Sequence, residues 1–409
     1  MTPRRFPSWL GVLLALGLIG AALSVYLAGD WRSGDVSLYH SYALGFWFGL
    51  PHPLLPTEYP PLSILPFSLT LAGPSAWFPD AFAFWMVVVA LLGYFAFRRW
   101  TSPGQAAAYA LYVLAAGVAT LWSRYDVLPA LLVVAALWLI ERHRFAAAYP
   151  IIALATLLKF FPIVLLPTAV IAHWRSRRGR GVKVWRQIAL GVGACLSIVV
   201  LAFAVAAAVA PGGWSSSLTV ELKRPIEVES IPATLLWLGS LAGMRTSPLV
   251  SFGSFNVTST LSAYVGALAV LALVAGLLLT YWRQLRGRYT TGQAAVAAIL
   301  VLLCTSKVLS AQYLIWLAPI LATTVGFQIR SLALFLLTAL VFPTLWHVGV
   351  VAHEASVAYA SVFLVGIAIR NGLLIFLTGK FLLSRDVDRE CERLKPQGEP
   401  QQFTIVAGS

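Results

Sequence analysis

The chain has 409 residues, of which 59% are hydrophobic and only 11% charged. Soluble domains average roughly 45–50% apolar and about 25% charged residues, so a water-soluble globular protein is excluded. The net charge of +14 does not mark a nucleic-acid binder either, because the basic residues lie in short runs between apolar stretches. Those runs are Arg4–Arg5, Arg98–Arg99, Arg142 with Arg144, Arg175 to Arg186, Arg283 to Arg288, Arg330, and Lys380 onward. This is the positive-inside arrangement of a polytopic membrane protein, and it sets orientation.

In chain order, "MTPRR" and the apolar run Leu10–Ala28 read as an uncleaved first helix, because the run is about as long as a membrane span. With the N-terminus cytoplasmic, residues 29–61 form the first external loop. Its "GDVSLYHSYALGFWFG" reads as an interfacial helix with Tyr39, Phe46 and Trp47 at the membrane surface. Asp35 opens that helix. It can serve as an N-cap or as a general base over a cavity mouth, and one residue can do both. "TEYPPLSILPF" (Thr57 to Phe67) closes the loop. Its two prolines remove two donors and set up a helix start. Leu62 to Phe97 then returns to Arg98–Arg99, which takes one full span after a short half-helix.

Three segments begin and end at basic loops: Gln105 to Ile140, Phe145 to Ala172, and Thr291 to Gln328. Each must cross an even number of times, yet two passes need about 40 residues. Their tips are therefore expected within the depth of the membrane, around a cavity open to the outside. The tips read "SRYD" (Ser123 to Asp126), "LKFFP" (Leu158 to Pro162) and "TSKVLSAQY" (Thr305 to Tyr313). Arg124, Asp126, Lys159 and Lys307 lie there, and intramembrane charges mark function by default. Lys159 and Lys307 have no acidic neighbour within their own tips. They pair either with Asp35, Glu227 or Glu229 across the bundle or with a bound phosphate.

A span from Gln187 to Ala210 leads to a polar external loop, residues 211–260, carrying "ELKRPIEVES" (Glu221 to Ser230). Helices follow at Leu261–Trp282, Ser331–Val351 and Val357–Phe381. Residues 1–383 thus form one transmembrane domain of about eleven or twelve helices, all-α, and 384–409 a charged cytoplasmic tail. Cys195, Cys304 and Cys391 show neither metal nor disulfide spacing, and no metal or cofactor is expected. Asp386-Val387-Asp388 in the tail reads as solvated charge. His40, close to Asp35, and His347 and His353, near an outer helix end, are further candidates for substrate contact, with a structural role equally open.

An outward cavity with cations inside and a carboxylate at its rim suits transfer of a group from a lipid-linked phosphate to a hydroxyl. A transporter or flippase of an anionic lipid or solute is the alternative, although no inverted repeat is visible. A non-catalytic assembly factor would leave the clustered charges unexplained.

The ordered motifs resemble a known family. They are Asp35 with Tyr39, "EYPPL" at Glu58–Leu62, "RYD" at Arg124–Asp126, Lys159 with Pro162, "RPIEVES" at Arg224–Ser230, "SKVLSAQYLIWLAP" at Ser306–Pro319 and "RNGLL" at Arg370–Leu374. Together they are similar to the polyprenol-phosphate-mannose-dependent membrane enzymes of glycosyltransferase family 87, which includes the phosphatidylinositol mannoside mannosyltransferases. Family members often have a proline where this chain has Ala311. The resemblance implies a GT-C bundle in the cell membrane with its active site on the extracellular or periplasmic side and both termini cytoplasmic. It implies an inverting transferase with Asp35 as base and a polyprenyl phosphate sugar, mannose, as donor. Arg124, Lys159 and Lys307 are then expected to hold the phosphate. Glu58, Tyr59, Asp126, Glu229 and Gln312 would shape the sugar or acceptor pocket for a glycolipid or glycan acceptor.

Overall fold

The computed structural model describes residues 34–49, 53–117, 120–177, 181–211, 213–346 and 357–383. The expected first helix, His347, His353, Cys391 and the tail from Ser384 lie outside the described residues. After α1 (Asp35–Phe48) comes α2 (Pro61–Ala72), a short run of α and 3-10 turns. It is followed by α3 (Phe78–Trp100). The half-helix and full span expected for this stretch are both present.

The three short hairpins form as their basic flanks and lengths require. They are α4 (Pro103–Gly117) with α5 (Val127–Glu141), α6 (Phe145–Leu158) with α7 (Leu165–Ser176), and α12 (Thr291–Thr305) with α13 (Leu317–Val325). A 15-residue helix is only about 22 Å long, well short of a hydrocarbon core of roughly 30 Å. Helix α12 starts at a capping box, in which Thr290 N–H donates to Gln293 Oε1 and Gln293 N–H to Thr290 Oγ1.

Long helices surround these hairpins: α8 (Val182–Val209), α11 (Ser262–Leu285) and α15 (Val357–Leu383). Among the described residues four helices are long and apolar enough to cross a membrane, counting α3 with its preceding turn. Apolar side chains of α8 and α11 point outward, including Leu190, Leu201, Leu268 and Leu271. In water that would be costly; against lipid it is the solvated state.

Three of the basic turns gather at one end. Arg175 at the end of α7 donates to the Gln284 and Tyr289 carbonyls, and the Tyr289 hydroxyl bonds the Phe381 carbonyl of α15. The hairpin tips lie at the other end of α6 and α12.

Three expectations are corrected here. The loop 211–260 is not merely polar connection. It contains α9 (Ser216–Lys223), α10 (Ile231–Leu241) and an antiparallel sheet of β1 (Ile226–Glu227), β2 (Thr246–Ser251) and β3 (Ser254–Ser259) in the order β1–β3–β2. The hairpin turns at Phe252-Gly253, both with positive φ, a conformation glycine adopts freely. The helix expected at Ser331–Val351 is broken: α14 (Ile329–Ala339) gives way to a π-turn in which Phe342, before Pro343, has extended φ/ψ. Tyr39 is not interfacial. It is fully buried, stacked on Phe67 at 4.1 Å with Tyr59 and Tyr125 edge-on. Trp47, half exposed, keeps its expected outward place.

Candidate active site

Helix α1 starts at Asp35, but Gly34 takes the cap position and no side chain caps the helix. The Asp35 carboxylate instead contacts the Arg124 guanidinium, and Tyr59 Oη donates to it at 3.4 Å. Tyr59 is fixed from both sides, bonded to Tyr39 Oη and packed edge-on against Phe67 and Tyr125. Pro60 directs this turn: its carbonyl accepts from both the Ser63 N–H and Ser63 Oγ, which closes the start of α2. Glu58 accepts from Tyr42 Oη at 2.6 Å. Burial, and next the bond to Glu58, push the Tyr42 hydroxyl up to about 12, so it stays a donor.

The first two hairpin tips are joined by an ion pair. Lys159 follows the last turn of α6 in extended conformation, and its Nζ lies 2.5 Å from Asp126 Oδ1. Trp316 Nε1 donates to the same oxygen at 2.6 Å. The ammonium also sits 5.0–5.6 Å from the ring centres of Tyr313, Tyr125, Trp316 and Tyr59, a favourable environment for a cation. The Asp126 carboxylate is thus bonded to Lys159 and Trp316, and it does not line the cavity.

The third tip is clasped by the external segment. The Glu227 carboxylate accepts from Leu309 N–H at 2.8 Å and Ser310 Oγ at 2.9 Å, while Glu227 N–H donates to the Lys307 carbonyl. The Lys307 side chain does not line the cavity. It donates to the Leu222 carbonyl at 2.8 Å and ties the end of α9 to this tip. Arg224, on that same segment, does line the cavity.

These pieces enclose a chamber of about 430 Å³. Of the residues singled out in the sequence, Asp35, Glu58, Tyr59, Arg124, Lys159 and Gln312 face it. Glu221, Arg224, Glu227 and Tyr313 face it too; of these, sequence reasoning offered only Glu227, as an ion-pair partner for the tip lysines. The signal for the first three was the density of charge in "ELKRPIEVES" within so apolar a chain. One side of the chamber is apolar, with Val164, Leu273, Leu302 and Leu303. A smaller space of about 170 Å³ adjoins it, lined by Glu229 among others.

Glu229 is held from behind. Arg370 Nη1 donates to its Oε2 at 2.7 Å, and Arg370 Nη2 and Asn371 Nδ2 donate to its carbonyl. Burial raises the carboxyls of Glu221, Glu227 and Glu229, the last to about 7 despite Arg370. Burial works against the Arg224 cation, yet Tyr313, Glu227 and Glu221 outweigh it and hold its pKa above the ordinary value.

His40 faces elsewhere: its ring stacks on Phe78 and bonds Thr70 Oγ1. Among the described residues no group of three or more His, Cys, Asp or Glu could hold a metal ion.

The model of glycosyltransferase family 87 matches residues 57–306 of this chain, more than half of its length. The match takes in Glu58, Tyr59, Arg124, Asp126, Lys159 and Glu229; Asp35, Lys307 and Gln312 lie outside it. No curated protein matches the chain.

Proposed function

The chain belongs to glycosyltransferase family 87, and so to the membrane-bound GT-C superfamily; on that premise we propose that it transfers mannose from a polyprenyl phosphate donor. The acceptor is a hydroxyl of a lipid-linked or glycan molecule, the reaction inverts the anomeric carbon, and it takes place on the outer face of the cell membrane. The observation that carries this reading is that Asp35, Arg124, Lys159 and Arg224 face one chamber with an apolar side.

In the proposed reaction the acceptor oxygen attacks the anomeric carbon as the bond from that carbon to the phosphate oxygen breaks. The acceptor proton passes to Asp35, and the polyprenyl phosphate leaves as an anion. Arginine offers five donors in a planar fork and lysine a point charge, which suits both to a leaving phosphate. The Nε atoms of Arg124 and Arg224 are buried and have no hydrogen-bond partner among the described residues, so each keeps a donor for the phosphate. The leucines and Val164 at the chamber's apolar side suit the start of a prenyl chain. Basic turns at the end away from the chamber support this sidedness.

The test is a transfer assay with purified protein, labelled polyprenyl-phosphate-mannose and glycolipid acceptors in liposomes. Labelled glycolipid and free polyprenyl phosphate are expected, and neither from Asp35→Asn. Movement of the donor across the bilayer without sugar transfer would overturn the reading in favour of a transporter.

A further inference from the structure

The external segment that leads into α11 exposes apolar side chains that contact with water does not explain. From Ile231 to Trp282 the chain carries a single charged residue, Arg245. Soluble domains average about 25% charged residues. On α10, Leu235, Leu238 and Leu241 recur at every third position along one face, and all are exposed, the last at 69%. On the β2–β3 hairpin, Leu249, Val250 and Phe252 are exposed as well, Val250 at 67%. A contiguous apolar surface of this kind marks contact with a membrane or with another protein.

Its position favours the membrane. The sheet and α10 pack beside α15, whose stretch Ser361–Leu383 is long and apolar enough to cross. Trp237 of α10, Pro248 of β2 and Val257 of β3 enclose, with Phe363 and Ile367 of α15, a space of about 220 Å³. Asn371 of α15 donates to Thr234 Oγ1 of α10 at 2.8 Å. At about 1.5 Å per residue, Asn371 lies roughly 18 Å from the Leu383 end of its helix, within the span of a hydrocarbon core of roughly 30 Å. Helix α11 packs on the same cluster through Val265 and bears the exposed Leu268 and Leu271. The apolar patch thus adjoins a lipid-facing helix.

The depth is bounded from the other side. Strand β2 is an edge strand, paired among the described residues only with β3. An open sheet edge does not occur in the hydrocarbon region. Pro248 removes one donor from that edge, but its remaining outward groups need water. The hairpin therefore belongs at the boundary of headgroups and acyl chains, where apolar side chains insert about 5–10 Å. Arg245, exposed at the junction of α10 and β2, suits the phosphates at that level.

We propose that the exposed face of α10 and the β2–β3 hairpin insert into the membrane leaflet on the chamber side, with lipid acyl chains as their partner. The external segment is then a membrane contact in its own right, besides the spanning helices. Its tip, Phe252 with Gly253, also lines the main chamber, so the inserted surface seats the chamber's apolar side against that leaflet. This inference is independent of the transferase reading.

The test measures depth in the full chain. Single nitroxide labels are attached through Leu241→Cys, Val250→Cys and Lys223→Cys in proteoliposomes, with Cys195, Cys304 and Cys391 replaced by alanine and the melting temperature unchanged. Power-saturation EPR compares collision with oxygen, which partitions into acyl chains, and with a water-soluble nickel chelate. The oxygen-to-nickel ratio is expected to be at least fivefold higher at positions 241 and 250 than at 223, an exposed charged position of α9. Ratios equal to that at 223 overturn the insertion in favour of contact with water. Low access to both reagents overturns it in favour of a protein partner. Spin–spin broadening that vanishes on dilution with unlabelled protein then identifies a second copy, an occupant that a free strand edge also admits. If the cysteine-free background does not fold, p-benzoylphenylalanine in place of Leu241 or Val250 in the natural background takes the place of the labels. A photo-adduct with phospholipid is expected there, and crosslinks to protein alone, or no lipid adduct, overturn the insertion.

Discussion

Lys159 and Asp126 come from the tips of different hairpins and meet at 2.5 Å with both side chains buried. Neither could remain charged alone at that depth, so each tip depends on the other. Removing one partner of a buried pair costs about 3–5 kcal/mol, because the other charge is left uncompensated. Asp126→Asn and Lys159→Met are each expected to lower the melting temperature in detergent sharply. The double variant should be more stable than the sum of the two losses implies, and simple additivity would show that the pair is not coupled.

Asp35 meets Arg124 at the rim of the chamber. As the proposed general base it would contribute about 10²- to 10⁴-fold. Asp35→Asn is therefore expected to lower kcat by that order while donor KM changes little. Turnover within threefold of wild type would remove Asp35 as base.

Arg224 and Lys307 separate two uses of a cation. Arg224 faces the chamber with a buried Nε that has no partner among the described residues, whereas Lys307 holds the Leu222 carbonyl. Arg224→Ala is expected to raise donor KM at least tenfold. Lys307→Ala should act mainly on stability, with a smaller effect on donor KM. The reverse order in steady-state kinetics would return the phosphate contact to Lys307.

Three carboxyls on the external segment, Glu221, Glu227 and Glu229, are raised by burial, and Glu229 reaches about 7. A carboxyl raised on folding favours the folded state most below its unfolded value of about 4.3, and that contribution fades as pH rises through the folded value. The melting temperature should accordingly fall between about pH 5 and pH 8. Glu229→Gln should flatten that slope, and an unchanged slope would mean that Glu229 does not titrate there.

Arg124, Lys159 and Arg224 can supply the positive charge that a leaving phosphate needs. Transfer is expected to continue undiminished in excess EDTA. Loss of activity that Mg²⁺ or Mn²⁺ restores would overturn this.

The sequence by itself determined the architecture. Basic turns at both ends of segments too short for two full passes left only shallow hairpins, and the structure has them at α4–α5, α6–α7 and α12–α13. Composition and parity are local properties that the bilayer enforces residue by residue, so they are legible in one dimension. The Pro-Pro turn and the place of Asp35 at the start of α1 were legible for the same reason. Pairing was not. The partner of Asp126 lies 33 residues away, that of Glu229 lies 141 residues away, and Glu227 reaches across to the third tip. Helical periodicity did not reveal that Tyr39 faces Phe67 in the core, since an aromatic-rich helix suits interface and core alike. The side space of Glu229, Gln312 and Trp346 exists only where an external strand, a hairpin tip and the broken end of α14 converge. Its shape follows from the packing of those elements, and no single stretch of sequence carries it.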